Sequence, residues 1–138
     1  MHRILIIEDD AAVRAAVELI LDHEGYSVAV AADGEAGLDL LRSAAFDLVI
    51  VDIFMPGRGG LETISLIRQT SPNLPVIATS GAGARAGAPG AADDVLGKAV
   101  QLGASCVIHK PFRPRDLLQA IEQCLAGGTE SGADGIAT

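Results

Sequence analysis

The stretch DLVIVDIFMPGRGG, residues 47–60, does most to decide the fold. Within it, residues 48–51 form an apolar run of strand length that is not interrupted by polar side chains. Continuous rather than alternating hydrophobicity predicts a strand buried on both faces, as in a parallel sheet covered by helices. The run ends at Asp52, so a carboxylate stands at the end of the predicted strand.

Similar apolar runs rich in Val and Ile occur on both sides of this stretch. They occupy residues 4–7, 28–32 and 76–79, and a shorter one occupies residues 106–109. Between the runs, apolar residues recur at spacings of three and four, which predicts helices. Asp10 is a plausible N-cap for the first helix and Gly25 a stop. Residues 61–67 and the segment after Pro114 repeat the pattern, and residues 35–43 and 93–102 show it more weakly.

The order of these elements predicts the fold class. Five strands alternate with five helices, and right-handed crossovers then give an α/β, doubly wound open sheet of three layers. In such sheets, ligands bind beyond the carboxyl ends of the strands, near the point where the strand order reverses. The residues that follow each strand are therefore the candidates for chemistry.

Composition limits the possible functions. A chain of 138 residues, 49% hydrophobic and 20% charged, suits one compact domain. A net charge of −8 disfavours contact with nucleic acid or an anionic membrane and favours cations or basic partners. No apolar run approaches the roughly 20 residues that span a bilayer, so we expect a soluble, cytoplasmic protein. The cysteines Cys106 and Cys124 are expected to be free, buried thiols.

Charged and polar residues follow four of the five predicted strands. Glu8, Asp9 and Asp10 follow the first, and Asp52, Ser80 and Lys110 follow the third, fourth and fifth. If strands one and three are neighbours, their carboxylates lie within several ångströms, since adjacent strands are about 4.8 Å apart. Clustered carboxylates raise each other's pKa unless a cation intervenes, and oxygen ligands of this kind favour Mg²⁺ where a phosphate completes the shell.

On the side of the site away from the carboxylates, Ser80 adds a hydroxyl and Lys110 adds an ammonium. Together with the metal, these two groups can bind the oxygens of a phosphoryl group. A carboxylate nucleophile beside Mg²⁺ and a lysine is a reasonable phosphoryl acceptor, so an acyl phosphate on Asp52 is our hypothesis. Simpler interpretations exist for single residues: Asp10 serves as a helix N-cap, and Lys110 before Pro111 as a solvated charge at a turn. Their joint occurrence at one edge of the sheet favours a site.

Four motifs in this order resemble the receiver domains of bacterial response regulators. They are ILIIEDD at 4–10, DLVIVDIFMPGRGG at 47–60, PVIATSG at 75–81 and HKPF at 109–112, within a match over about residues 3–125. The resemblance implies a flavodoxin-like (βα)5 fold with a parallel five-stranded sheet of order 2-1-3-4-5. It places the receiver domain at residues 1–126, and we expect residues 127–138 to be a disordered tail or a truncated linker.

The resemblance also implies a role for each site residue. Asp52 would be the phosphoacceptor, and Asp9 would ligate Mg²⁺ together with Asp52. Glu8 would help through water, and Phe54 would offer its backbone carbonyl to the metal. Ser80 matches the hydroxyl that moves toward the phosphoryl group. Lys110 matches the lysine that pairs with phosphate, and the Lys110–Pro111 bond is expected to be cis.

Partners follow from the same resemblance. The donor would be a sensor histidine kinase or a histidine phosphotransfer protein, and an unknown protein target would read the phosphorylated state. We expect no direct contact of this domain with nucleic acid or membrane. The domain would be no enzyme beyond its own phosphorylation and slow dephosphorylation.

The sequence departs from the family's pattern in several places. Val107 stands where the family usually carries an aromatic switch residue. The Gly/Ala-rich connection at 81–92 is longer than usual and is predicted to be mobile. Phe54 and Ala82 fill the positions thought to tune hydrolysis, and neither can orient a water, so we expect slow self-dephosphorylation. We expect no output domain within these 138 residues, so the protein either acts alone or is a fragment of a larger regulator or hybrid kinase.

Three functions from other classes compete with this interpretation. A phosphatase of the haloacid-dehalogenase type needs a second acid two residues after its aspartate, and Phe54 fills that place. A nucleotide-binding module is suggested by the glycines of residues 81–87, but their spacing misses G-x-G-x-x-G. A receiver-like interaction module that does not use phosphorylation is disfavoured because Asp9, Asp52 and Lys110 are all present.

Overall fold

A computed structural model of the chain describes residues 2–54, 59–80 and 91–133. Strands and helices alternate along it. The strands are β1 (Arg3–Ile7), β2 (Ser27–Ala31), β3 (Leu48–Asp52), β4 (Val76–Ser80) and β5 (Cys106–His109), and the helices are α1 (Ala11–His23), α2 (Gly34–Ser43), α3 (Gly60–Thr70), α4 (Ala91–Leu102) and α5 (Pro114–Ala133).

The five strands form one parallel sheet of order β2-β1-β3-β4-β5. This confirms the predicted flavodoxin-like topology. Because β1 pairs with β2 on one side and β3 on the other, the strand order reverses at β1. The carboxyl ends of β1 and β3 are therefore adjacent at the point where doubly wound sheets bind their ligands.

Both faces of the sheet are covered, which makes three layers. Leu5, Val49 and Ala78 face a core that includes Leu38 of α2 and Ile64 of α3. The alternate strand residues face a second core that α1 and α5 complete: Ile4, Ile6, Leu48, Ile50 and Ile77, with Val17, Leu21, Leu117 and Ile121. Burial on both faces explains why the strands are apolar throughout, and a fully buried Leu or Ile contributes about 1.5–3 kcal/mol.

The ends of α1 match their prediction. Asp10 has extended backbone, and its carboxylate accepts hydrogen bonds from the N–H groups of Ala12 and Val13. It is the N-cap, and it satisfies backbone donors that the first helical turn leaves unpaired. After the helix, Gly25 has a φ of 91°, a value that favours glycine.

A close approach fixes the start of α3 against the end of β3. The N–H of Gly60 donates to the carbonyl of Ile53 at 3.0 Å. A Cβ atom on Gly60 would collide with the backbone carbonyl of Asp52 and the Cα of Ile53. Glycine at this position therefore lets the helix pack directly on the residue that ends β3.

The C-terminal helix runs to Ala133, past residue 126, where the sequence predicts that the domain ends and a disordered tail or a truncated linker begins. Once a helix is nucleated, each further residue adds a hydrogen bond, so it can continue without an apolar face. The domain boundary at residue 126 stays a prediction, and residues 134–138 lie outside the described residues.

Other predictions also fall outside the described part of the chain. They concern most of the connection at 81–92, including Ala82, and residues 55–58 of the motif at 47–60. Among the described helices, none is long and apolar enough to cross a membrane.

Candidate functional site

The four strand ends chosen from the sequence meet at one edge of the sheet. Parallel pairing sets Ile7 opposite Val51, so Glu8 and Asp52 follow neighbouring positions on β1 and β3. Asp52 is opposite Thr79, and Ser80 is opposite His109, the residue before Lys110. The structure thus brings together the side chains that were predicted to form a site.

Three carboxylates converge there. One oxygen from each of Glu8, Asp9 and Asp52 lies within 4.8 Å of the other two. Glu8 and Asp52 are only 4% and 5% exposed, whereas Asp9 is exposed. An oxygen-only donor set with one member open to solvent fits a hard divalent cation such as Mg²⁺, which usually keeps several waters.

Lys110 supplies the cation of the site in this structure. Its Nζ lies 2.6 Å from Glu8 Oε1 and 3.6 Å from Asp52 Oδ1. Its side chain is 19% exposed, so the ammonium is drawn in among the carboxylates rather than solvated at a turn. The Lys110–Pro111 peptide bond is cis, as expected.

The pKa of Asp52 is raised from 3.8 to about 7. Burial is the largest cause, and the negative charge of Glu8 adds to it. Lys110 and the N–H of Phe54, which donates to Asp52 Oδ1 at 3.3 Å, act in the opposite direction. The carboxyl is therefore balanced between its two protonation states near neutrality, and an added cation favours the carboxylate.

Ser80 contributes a buried hydroxyl to the same edge. Within the described part of the chain, its Oγ has no hydrogen-bond partner. By contrast, the hydroxyl of the preceding Thr79 donates to the carbonyl of Val51 at 3.5 Å. A buried polar group without a partner costs about 1–3 kcal/mol, so a ligand that bonds to Ser80 would recover that energy.

The two unusual positions, Phe54 and Val107, are both part of the packing. Phe54 is half-buried, and it packs against the core cluster on the α2–α3 side of the sheet. Val107 packs against the same cluster and pairs with Ala78 of β4. The predicted use of the Phe54 carbonyl as a metal ligand stays a prediction.

Sequence reasoning missed the contacts that hold Glu8. The guanidinium of Arg14 donates to the Glu8 carbonyl at 2.8 Å, and the N–H of Asp10 donates to Glu8 Oε2 at 3.2 Å. The signal that could have found Arg14 is its place one helical turn after the N-cap, on the end of α1 that faces the site. The direct ion pair between Glu8 and Lys110 was also not expected.

Known proteins that are similar in sequence to this chain are response regulators. The family model described as "Response regulator receiver domain" matches residues 4–122. The chain is 37% identical to the transcriptional regulatory protein CpxR of Escherichia coli K12, over 91% of this chain and 50% of that protein. It is 42% identical to AfsQ1 of Streptomyces coelicolor, over 97% of this chain and 56% of the relative. The chain spans about half the length of these curated relatives.

Solved structures give the same result. A CheY-like response regulator receiver domain protein from Methanospirillum hungatei superposes with a TM-score of 0.84 and 30% identity, over 94% of this chain and 97% of the other. The receiver domain of NtrX from Brucella abortus superposes with a TM-score of 0.80 and 31% identity, over 89% of this chain and 98% of the other.

Proposed function

The chain belongs to the response regulator receiver domain family, and on that premise we propose that Asp52 accepts a phosphoryl group from a phosphohistidine donor. One observation supports this above all: three carboxylates converge within 4.8 Å at the carboxyl edge of the sheet. Lys110 lies 3.6 Å from the proposed nucleophile. Phosphoryl transfer depends mainly on positioning and charge neutralisation, and these residues provide both.

Each residue has a role in this transfer. A carboxylate oxygen of Asp52 attacks phosphorus, the bond from phosphorus to the donor imidazole nitrogen breaks, and the imidazole leaves with the electron pair. Lys110 neutralises charge on the phosphoryl oxygens, and the Ser80 hydroxyl gains a hydrogen-bond partner.

Glu8, Asp9 and Asp52 would hold Mg²⁺, with the Phe54 carbonyl as a further ligand. When bound, Mg²⁺ supplies positive charge for the phosphoryl oxygens. The site fits this task because burial and the negative charge of Glu8 already raise the pKa of Asp52, and a bound cation offsets that effect.

The proposed donor is a sensor histidine kinase or a histidine phosphotransfer protein, and a protein target reads the result. The curated relatives are named as transcriptional regulatory proteins. For this domain we propose no direct contact with nucleic acid, because a net charge of −8 repels phosphate. We also propose no turnover beyond its own phosphorylation and dephosphorylation.

Loss of the phosphoryl group should be slow. The Phe54 side chain is apolar and packs against the core, so it cannot orient an attacking water toward Asp52. We expect a half-life of minutes or longer in the isolated protein, measured from the decay of the phosphorylated mass after the donor is removed. Phe54→Asn should shorten it, and a wild-type half-life of seconds would contradict this part of the proposal.

Intact-mass spectrometry tests the proposal. The full chain is treated with acetyl phosphate, with Mg²⁺ or with EDTA. We expect the mass of one phosphoryl group to be added only with Mg²⁺ and to be lost in Asp52→Asn. Asp39→Asn is the matched control, since Asp39 is exposed on α2 and pairs with Arg42. Addition to Asp52→Asn would disprove the assignment, and no addition to the Mg²⁺-bound wild type would favour an interaction module that does not use phosphorylation.

A further inference from the structure

Two cysteines lie outside the site described above. Cys106 begins β5, at the end of the strand opposite Lys110, and Cys124 lies on α5. Both are free, as the sequence predicted, but they are half-buried rather than fully buried. Both pack against the core cluster between the sheet and the α1–α5 layer.

The two thiols are neighbours. Cys106 lies close enough to Cys124 to raise the pKa of its thiol, and both side chains line one pocket, although 18 positions separate them in the sequence. The Cys106 thiol also lies 3.9 Å from the carbonyl oxygen of Val107. Packing of α5 on β5 therefore creates a dithiol pair that neither element would form alone.

A surface pocket gives small molecules access to this pair. Its volume is about 530 Å³, and both cysteines line it together with Leu74, Gly103 and Gln123. A pocket of this size admits a peroxide or a small disulfide. The thiols are thus partly shielded by packing, yet reachable from solvent on one side.

We propose that Cys106 and Cys124 form a reversible intramolecular disulfide when a small disulfide or a peroxide enters this pocket. With a small disulfide as oxidant, one protein thiol loses its proton and attacks a sulfur of the oxidant, whose other half leaves as a thiolate. The second protein thiol then attacks the mixed disulfide and releases the remaining half. Two protein thiols are oxidised, and one small disulfide is reduced to two thiols. With hydrogen peroxide, the first thiolate takes one oxygen atom to become a sulfenic acid while the other oxygen leaves as water. The second thiol then attacks the sulfenic sulfur and releases a second water, so two thiols are oxidised and one peroxide is reduced to two waters.

Cys106 is the attacking residue in this sequence of steps. Burial, followed by the proximity of Cys106, raises the pKa of Cys124 to about 11, so Cys124 is rarely a thiolate near neutrality. Cys124 is therefore the resolving residue. The bond would tie α5 to β5, the strand that carries Val107 and leads into Lys110.

The test uses the full chain and oxidised glutathione or hydrogen peroxide. Wild type should lose the mass of two hydrogen atoms and both reactive thiols without a disulfide between chains, and dithiothreitol should restore it. Cys124→Ser should accumulate glutathione on Cys106, whereas Cys106→Ser should stay mostly unmodified.

As a control, the same oxidant is applied to the chain unfolded in guanidine, where oxidation of both thiols shows that the conditions are strong enough to oxidise them. Retention of both thiols in the folded wild type under those conditions overturns the proposal. Disulfides that form only between two chains overturn it as well, and adducts on Cys124 rather than Cys106 overturn the order of attack.

Discussion

Glu8 is the residue that organises the charges of the site. Its two carboxylate oxygens bind Lys110 and the N–H of Asp10, and its carbonyl accepts from Arg14. Because it is held on three sides, its charge stays close to Asp52 and raises the pKa of that carboxyl. A fixed negative charge beside the nucleophile makes the site dependent on a cation.

A pH dependence of stability follows at Asp52. Its pKa is 3.8 when unfolded and about 7 when folded, so between these values the folded state holds a proton that the unfolded state has lost. The folded state is therefore most stable, as far as Asp52 is concerned, below about pH 4. This contribution of Asp52 to the free energy of unfolding is lost as the pH rises through 7. Without metal, we expect the free energy of unfolding of wild type, relative to Asp52→Asn, to fall by on the order of 2–4 kcal/mol across this range.

Urea denaturation of both proteins in EDTA at several pH values measures this difference. The comparison with Asp52→Asn cancels the titration of other groups. Addition of Mg²⁺ should reduce the slope, since the cation favours the carboxylate. A difference that does not change with pH would show that Asp52 titrates near its ordinary value.

Lys110 should compete with the metal. Its ammonium already neutralises Glu8 and Asp52, so its removal leaves the three carboxylates more attractive to a divalent cation. We expect Lys110→Ala to bind Mg²⁺ about tenfold more tightly, or by about 1.4 kcal/mol. Isothermal titration measures the change, and Lys98→Ala, which removes an exposed lysine on α4, is the control. Weaker binding by Lys110→Ala would mean that the lysine holds the carboxylates in place instead.

At the scale of elements, the junction between β3 and α3 positions the nucleophile. α3 begins at Gly60, directly against the backbone of Asp52 and Ile53, and it has no side-chain cap because Gly59 precedes it. The packing of α3 and the position of Asp52 therefore both depend on Gly60.

Substitution at this junction should cost both stability and activity. Gly60→Ala places a Cβ into backbone atoms that cannot rotate away, so we expect a loss of about 1–3 kcal/mol and slower phosphorylation. Gly59→Ala is the matched control. Among the residues that the structure describes, none lies within 4 Å of a Cβ at this position, and only a weaker cap is expected, less than about 1 kcal/mol. Equal losses in the two variants, by urea denaturation, would mean that the close approach does not matter.

Most elements were predictable from the sequence because burial on both faces leaves long apolar runs. The strand after residue 47 was predicted in this way, and β2 differs from its prediction by one residue at each end. The extension of α5 to Ala133 was not predictable, because that segment has no apolar periodicity and the preceding packed turns nucleate it.

At the scale of the whole molecule, topology creates the site. Four strands contribute the groups of the site, and the order β2-β1-β3-β4-β5 sets the carboxyl ends of those strands side by side. The sequence predicted Asp52, Ser80 and Lys110 because each directly follows an apolar run. It could not predict the ion pair from Lys110 to Glu8 or the contact of Cys106 with Cys124, because both depend on how distant segments pack.

The central claim is that Asp52 itself carries the phosphoryl group. Borohydride reduces an aspartyl phosphate to homoserine, so the full chain is phosphorylated with acetyl phosphate and Mg²⁺, reduced, digested and sequenced by tandem mass spectrometry. We predict homoserine at position 52, dependent on both the donor and Mg²⁺. Homoserine at Asp9 or another position, with Asp52 unchanged, would contradict the account.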